Sequence, residues 1–152
     1  MSETAIHSSP AWQSKANFLI RADLGNYGMP GRIEQLWVRK LSDNTFQLCC
    51  IPFFTYGVAL GDIVETDDNL FFRRVASKEG HKILRGAVIN KEKVVELHEL
   101  IHNYLEQLAL SNEWYAPGYF AVDLPSINQD EELFIFMQKL ADTGDLSYEI
   151  DD

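Results

Sequence analysis

The stretch KILRGAVINKEKVVELHELIHNYLEQLAL, Lys82 to Leu110, changes its period in the middle, and that change decides the fold. Lys82–Ile89 reads as a strand, rich in β-branched and apolar residues. From Lys91 to Leu110 the apolar positions Val94, Leu97, Ile101, Leu105 and Leu108 fall on one face of a helix, with Asn90 placed to cap it. Downstream, Glu113–Ala116 and Tyr119–Leu124 flank the turn dipeptide Pro117-Gly118. A second helix is expected from Asn128, which forms a capping box with Glu131, and should end at Gly144. Leu146–Ile150 alternates as a last strand. Residues 82–152 therefore spell β-α-β-β-α-β, the ferredoxin-like order.

Upstream of this stretch the chain is punctuated as short strands. Phe18–Asp23, Gln35–Leu41, Thr45–Ile51, Asp62–Thr66 and Leu70–Ala76 are separated by Gly25-Asn26, Pro30-Gly31, Asp43-Asn44, Asp67-Asp68-Asn69 and Glu79-Gly80. The gaps leave no room for crossover helices, so pairing should be antiparallel, as a small barrel-like meander over residues 16–81. The expected class is α+β: this meander followed by the ferredoxin-like half, in one cooperative unit.

Of the 152 residues 46% are hydrophobic and 12% aromatic, enough to bury a sizeable core. The opening Met1–Lys15 is polar and reads as a flexible arm, neither secretory signal nor transit peptide. No apolar run approaches the roughly 20 residues that cross a bilayer. The two cysteines, Cys49 and Cys50, are adjacent and cannot readily bridge. A cytoplasmic protein with reduced thiols is expected.

Residues Leu36-Trp37-Val38, Ser42-Asp43-Asn44 and the run Ile51-Pro52-Phe53-Phe54-Thr55-Tyr56-Gly57-Val58-Ala59-Leu60-Gly61-Asp62-Ile63-Val64 resemble the bacterial family known as domain of unknown function 4265. Gly80-His81, Leu84-Arg85, Val122-Asp123-Leu124-Pro125 and Tyr148-Glu149 extend the resemblance over roughly residues 18–150. It implies a fold and a bacterial source, and no activity. Some small acidic proteins of this general kind are immunity partners of secreted toxins, an association only. In the Ile51–Val64 run, Pro52 ends strand pairing, Gly57 and Gly61 permit turns, and Asp62 can bond local amides. Alternatively Phe53, Phe54 and Tyr56 form a binding face, and their burial separates the two readings.

His98-Glu99-Leu100-Ile101-His102 matches His-Glu-x-x-His on the expected helix, where two histidines could ligate zinc and Glu99 could activate a water. Its surroundings argue against a peptidase. Glu96 is a charge where the extended pattern prefers none, and no Gly-x-x-His follows. Glu131 or Glu132 could be a third ligand, yet Ile135 and Phe136 stand where an Asp would be needed. Four His and twelve Glu make such a pentapeptide unsurprising by chance. A helix carrying His98 and His102 at the border of its apolar and charged faces explains them equally well. No phosphate loop, nucleophile elbow or Cys-x-x-Cys pair is present, and no cofactor is expected.

Charge supplies the remaining clue. Residues 1–90 carry 10 Lys+Arg and 9 Asp+Glu, whereas residues 91–152 carry 3 and 14. A surface of one sign disfavours nucleic acid and anionic membranes and favours basic partners. Asp130, Glu131 and Glu132 suit the first turn of the second helix, and Asp151 and Asp152 read as a terminal tail. Glu92, Glu96, Glu99 and Glu106, with Asn103, line one face of the first helix, where like charges at i, i+3 and i, i+4 cost stability. Those four glutamates are the expected partner-binding residues of a non-catalytic immunity protein that blocks a basic, nuclease-like toxin. The alternatives are a zinc peptidase using His98 and His102, and a regulatory adaptor that holds a small ligand or peptide between the two halves.

Overall fold

A computed structural model describes residues 3–125 and 130–151. Among them the strands are β1 (Thr4–Ala5), β2 (Phe18–Asp23), β3 (Ile33–Lys40), β4 (Thr45–Leu48), β5 (Ile63–Thr66), β6 (Phe72–Ser77), β7 (Lys82–Val88), β8 (Asn112–Ala116), β9 (Tyr119–Leu124) and β10 (Leu146–Asp151). The helices are α1 (Val94–Gln107) and α2 (Asp130–Asp142). The architecture is α+β with two sheets.

The first sheet runs β1-β3-β4-β5-β6, with β2 on the other side of β3. Its pairs are antiparallel except β1 with β3. The sheet is not a closed barrel: β2 and β6 meet through one isolated bridge, Arg21 to Phe71, and no ladder joins them. Short strands and two register shifts in the pairing of β5 with β6 leave too few aligned amides for a closing ladder. Ile20, Leu36, Val38, Phe46, Leu48 and Val64 fill its interior.

The second sheet has the order β10-β7-β9-β8, all antiparallel. One face carries both helices. There Leu84, Phe120, Val122 and Leu124 meet Leu97, Ile101 and Leu105 of α1 and Leu133 and Met137 of α2. Asn90 caps the α1 entry through its side chain on the Glu92 N–H, and the chain makes a 3-10 turn over Lys91–Lys93 before α1 begins. The capping box of Asn128 and Glu131 involves a position outside the described residues. Gly144, at φ 82°, ends the α2 segment, with Asp145 N–H on the Leu140 carbonyl.

The opposite face of the second sheet is covered by residues 51–60 and the N-terminal segment. Ile51, Phe53, Ala59 and Leu60 pack on Ile83 and Ala121, with Ala11 and Trp12 beside them. Residues expected as a flexible arm are thus placed: β1 pairs with β3, and His7 is buried at 4% exposure. The physical reason is that Trp12 and His7 find partners far along the chain. Trp12 N–H donates to the Cys49 carbonyl, and the Trp37 indole donates to the His7 carbonyl.

A tight point lies in β7. A β-carbon placed on Gly86 would sit 2.3 Å from the ring of buried Phe120. Gly86→Ala is expected to destabilise the fold by about 1–3 kcal/mol through overpacking, read as a lower urea midpoint with an unchanged slope.

Candidate functional site

The run Ile51–Gly57 leaves the first sheet as irregular backbone, and its amides need acceptors. Glu34, at an inward position of β3 in phase with Leu36 and Val38, supplies them. Its carboxylate accepts from the N–H groups of Phe53 (2.7 Å), Phe54 (3.1 Å) and Thr55 (3.0 Å) and from the Thr55 hydroxyl (2.7 Å). Glu113 of β8 does the same for Ile51 (2.7 Å) and Ala11 (3.1 Å). His7 lies between the two acids, Nε2 2.7 Å from Glu34 and Nδ1 2.7 Å from Glu113.

Both imidazole nitrogens therefore face acceptor-only carboxylates, so both carry hydrogen and the ring is an imidazolium. Burial alone would push the His7 pKa down. The bonds to Glu113 and Glu34 together outweigh it and raise the group from 6.5 to about 9. Burial pushes Glu34 up, and its bonds to His7, the Phe53 amide and the Thr55 hydroxyl hold it below the usual carboxylate range. Phe53 stacks flat on the His7 ring at 4.2 Å.

Arg85 of β7 completes the seam. It is 2% exposed, and it donates to the carbonyls of Pro52 (3.1 Å) and Thr55 (2.9 Å) and to the Asp151 carboxylate (3.0 Å). Asp151, expected in a tail, is thus the last residue of β10, held there by Arg85 and by the Gly57 N–H. Asp62 accepts from the Ala59 N–H at the Gly61 turn, as its position suggested.

These contacts decide between the two readings of Phe53, Phe54 and Tyr56. Phe53 is 1% exposed, and Phe54 packs on Tyr119 and Tyr115. Phe54 is half-buried and Tyr56 is exposed, its ring under the Arg85 guanidinium and its hydroxyl donating to Glu149. The loop is scaffold, with Tyr56 at the rim of a second cavity of about 270 Å³ that includes Arg85, Tyr119 and Glu149. Cys49 and Cys50 are free and buried, and burial pushes both thiols up, so neither is a nucleophile at neutral pH.

Glu92, expected on the first helix, lies in the 3-10 turn before α1, and it is exposed like Glu96, Glu99 and Glu106 of α1. Glu106 differs from the other three, because it lies 3.4 Å from His102 Nε2 and accepts from Asn112. Among the described residues, the carboxylates of Glu92, Glu96 and Glu99 accept no hydrogen bond or ion pair. Val95 and Leu100 border them, at 74% and 46% exposure.

His98 and His102 stand one turn apart with parallel rings, centroids 6.1 Å apart, and His98 also meets Trp114 edge-on at 4.3 Å. With Ser8, Ser9, Phe53, Glu106, Asn112 and Glu113 they line a cavity of about 320 Å³. His98 Nδ1 is buried without a hydrogen-bond partner among the described residues. Among those residues no group of three His, Cys, Asp or Glu side chains is arranged to hold a metal ion. Glu132 is brought to the opposite flank of α1, where its carbonyl accepts from Tyr104, well round the helix from both histidines.

His7, Glu34, Glu113 and Arg85 were not singled out from the sequence. A signal existed for two of them: Glu34 shares the inward phase of Leu36 and Val38, and Arg85 shares that of Ile83. For His7 there was none, because nothing local gives it partners 27 and 106 residues away.

The fold and this seam define a two-sheet α+β protein joined by a buried carboxylate–imidazolium bridge. Residues 34–148 match the family described as Domain of unknown function (DUF4265), and the chain belongs to that family. No curated protein matches. A solved structure described as the novel crystal structure of a hypothetical protein from Neisseria gonorrhoeae has a similar fold. Its TM-score is 0.63 at 20% identity, covering 88% of this chain and 94% of that one.

The bridge sets a pH dependence. His7 is raised in the folded state, so its contribution is complete below the ordinary 6.5 and is lost as pH rises through about 9. Glu34 is lowered, so its contribution is present above the ordinary 4.5 and is lost as acid titrates it. Urea midpoints should peak between these limits and fall on the alkaline side by the equivalent of on the order of 2–3 kcal/mol. His7→Gln should abolish most of that alkaline fall.

Proposed function

We propose that this protein is a non-catalytic immunity protein that binds and neutralises a cognate basic, nuclease-like bacterial toxin through the outer face of α1. The supporting observation is the unpartnered set Glu92, Glu96 and Glu99 flanked by exposed Val95 and Leu100. Each acid elsewhere in this half with a described contact is used locally. Asp145 accepts from Asn90 and Thr143, Asp151 from Arg85, Asp123 lies beside His81, and Glu113 holds His7. Carboxylates that repel one another along a helix, without local partners, suit a surface that another protein neutralises. Apolar residues at their border supply the area that desolvates on contact.

The rest of the reading goes with this. The order β10-β7-β9-β8 with two helices on one face reads as a ferredoxin-like unit, preceded by a barrel-like meander that the Arg21–Phe71 bridge nearly closes. His7 ties both into one cooperative unit. A cytoplasmic location accords with neutralising a toxin in the producing cell, and among the described residues no helix is long and apolar enough to cross a membrane.

Charge reversal in Glu96→Lys/Glu99→Lys is expected to slow association with the cognate toxin about tenfold at low salt, with less effect at high salt. Stopped-flow kinetics check this, and unchanged rates would take α1 out of the interface. The zinc-peptidase alternative has its own readout. Purified protein is expected to retain far less than one zinc per chain, whereas stoichiometric zinc that is lost in His98→Ala would select the peptidase.

A further inference from the structure

Beside the acidic face of α1, the same helix forms one wall of the 320 Å³ cavity beneath His98 and His102. We propose that this cavity is the anchor pocket for one arginine side chain of the protein partner. This deepens the proposed function and rests on it.

The chemistry of the walls is one-sided. The lining holds two carboxylates, Glu106 and Glu113, and no lysine or arginine. It also holds the aromatic rings of Trp114 and Phe53 and the paired imidazoles of His98 and His102. Glu113 already accepts from His7, Ala11 and Ile51, whereas Glu106 at the exposed end has long contacts of 3.4 Å to His102 and Asn112 through one oxygen only, which leaves the other for a new cation. The His98 and His102 rings offer flat faces on which a planar cation can stack.

A guanidinium meets these requirements together. It donates only, it is planar, and it stacks on aromatic and imidazole faces while reaching a carboxylate through its fork. An ammonium is a compact, strongly hydrated charge and leaves the flat walls unused. The position also suits an anchor, because Glu106 belongs at once to the cavity and to the α1 acidic row. A partner steered by Glu92, Glu96 and Glu99 would deliver a basic side chain to the cavity edge. Buried arginines ringed by weaker contacts are what dominate such interfaces.

The test uses the tripeptide Gly-Arg-Gly as probe, followed by NMR on the full chain. The expected result is a saturable shift of the Trp114 indole N–H and the His98 and His102 ring protons. Gly-citrulline-Gly, of the same shape without the charge, should shift them far less. Glu106→Gln and His98→Ala should each weaken binding about fivefold or more, and Glu106 is exposed, so its variant is not expected to unfold. Equal shifts by both peptides, or wild-type affinity in both variants, would overturn the pocket. Shifts confined to the amides of Glu92, Glu96 and Glu99 would also overturn it while leaving the acidic-face reading standing. Conversely, peptide binding in the cavity combined with unchanged toxin association in the Glu96→Lys/Glu99→Lys variant would remove the acidic-face reading and leave a free-standing arginine site.

Discussion

The imidazolium of His7, held between the carboxylates of Glu34 and Glu113, is the constraint on which the rest of this structure depends. All three groups are buried, and removing two carboxylates and a cation from water is costly unless nearly every lone pair and proton is matched. Here they are matched: the acids take the free amides of the 51–55 segment and of Ala11, and the ring supplies the cation between them. The irregular loop can therefore cross the interior without stranded backbone groups. Deleting His7 would leave two buried negative charges facing each other, a far worse state than a cavity of the same size.

Because Glu34 belongs to the first sheet and Glu113 to the second, the bridge also fixes how the two sheets meet. Phe53 stacked on His7, Arg85 reaching the Pro52 and Thr55 carbonyls, and Tyr119 donating to the Phe53 carbonyl all act on the same loop. A loop of this kind, bonded from three sides, is a rigid floor. The cavity under α1 lies at its edge, bounded by Phe53 and Glu113 from below and by His98 and His102 from above.

The charge asymmetry of the chain means less than its totals suggest. Four of the 14 acids after residue 90 are spent inside the fold or at its joints: Glu113 in the bridge, Asp123 beside His81, Asp145 beside Asn90 and Asp151 on Arg85. On the α1 side the surface signal contracts to Glu96 and Glu99 on the helix and Glu92 in the 3-10 turn before it. Glu106, two turns beyond Glu99, turns toward His102 and the cavity. The His-Glu-x-x-His pentapeptide is thereby divided, with Glu99 on the outer face and both histidines lining the cavity.

What the sequence by itself determined is the set of elements. The change of period at Asn90 placed α1, and the Pro117-Gly118 dipeptide placed the turn between β8 and β9. Those signals are local, because each depends on residues a few positions apart. Only the tertiary structure decided that Met1–Lys15 is not a loose arm along its described length, that the first sheet stays open, and that Asp151 is structural. The same holds for the cavity under His98 and His102. Each of these depends on a contact across scores of residues, such as His7 with Glu113 or Arg85 with Asp151. A polar side chain bound for such a contact looks, in sequence, like any residue bound for water, and only burial with its distant partner gives it a different free energy.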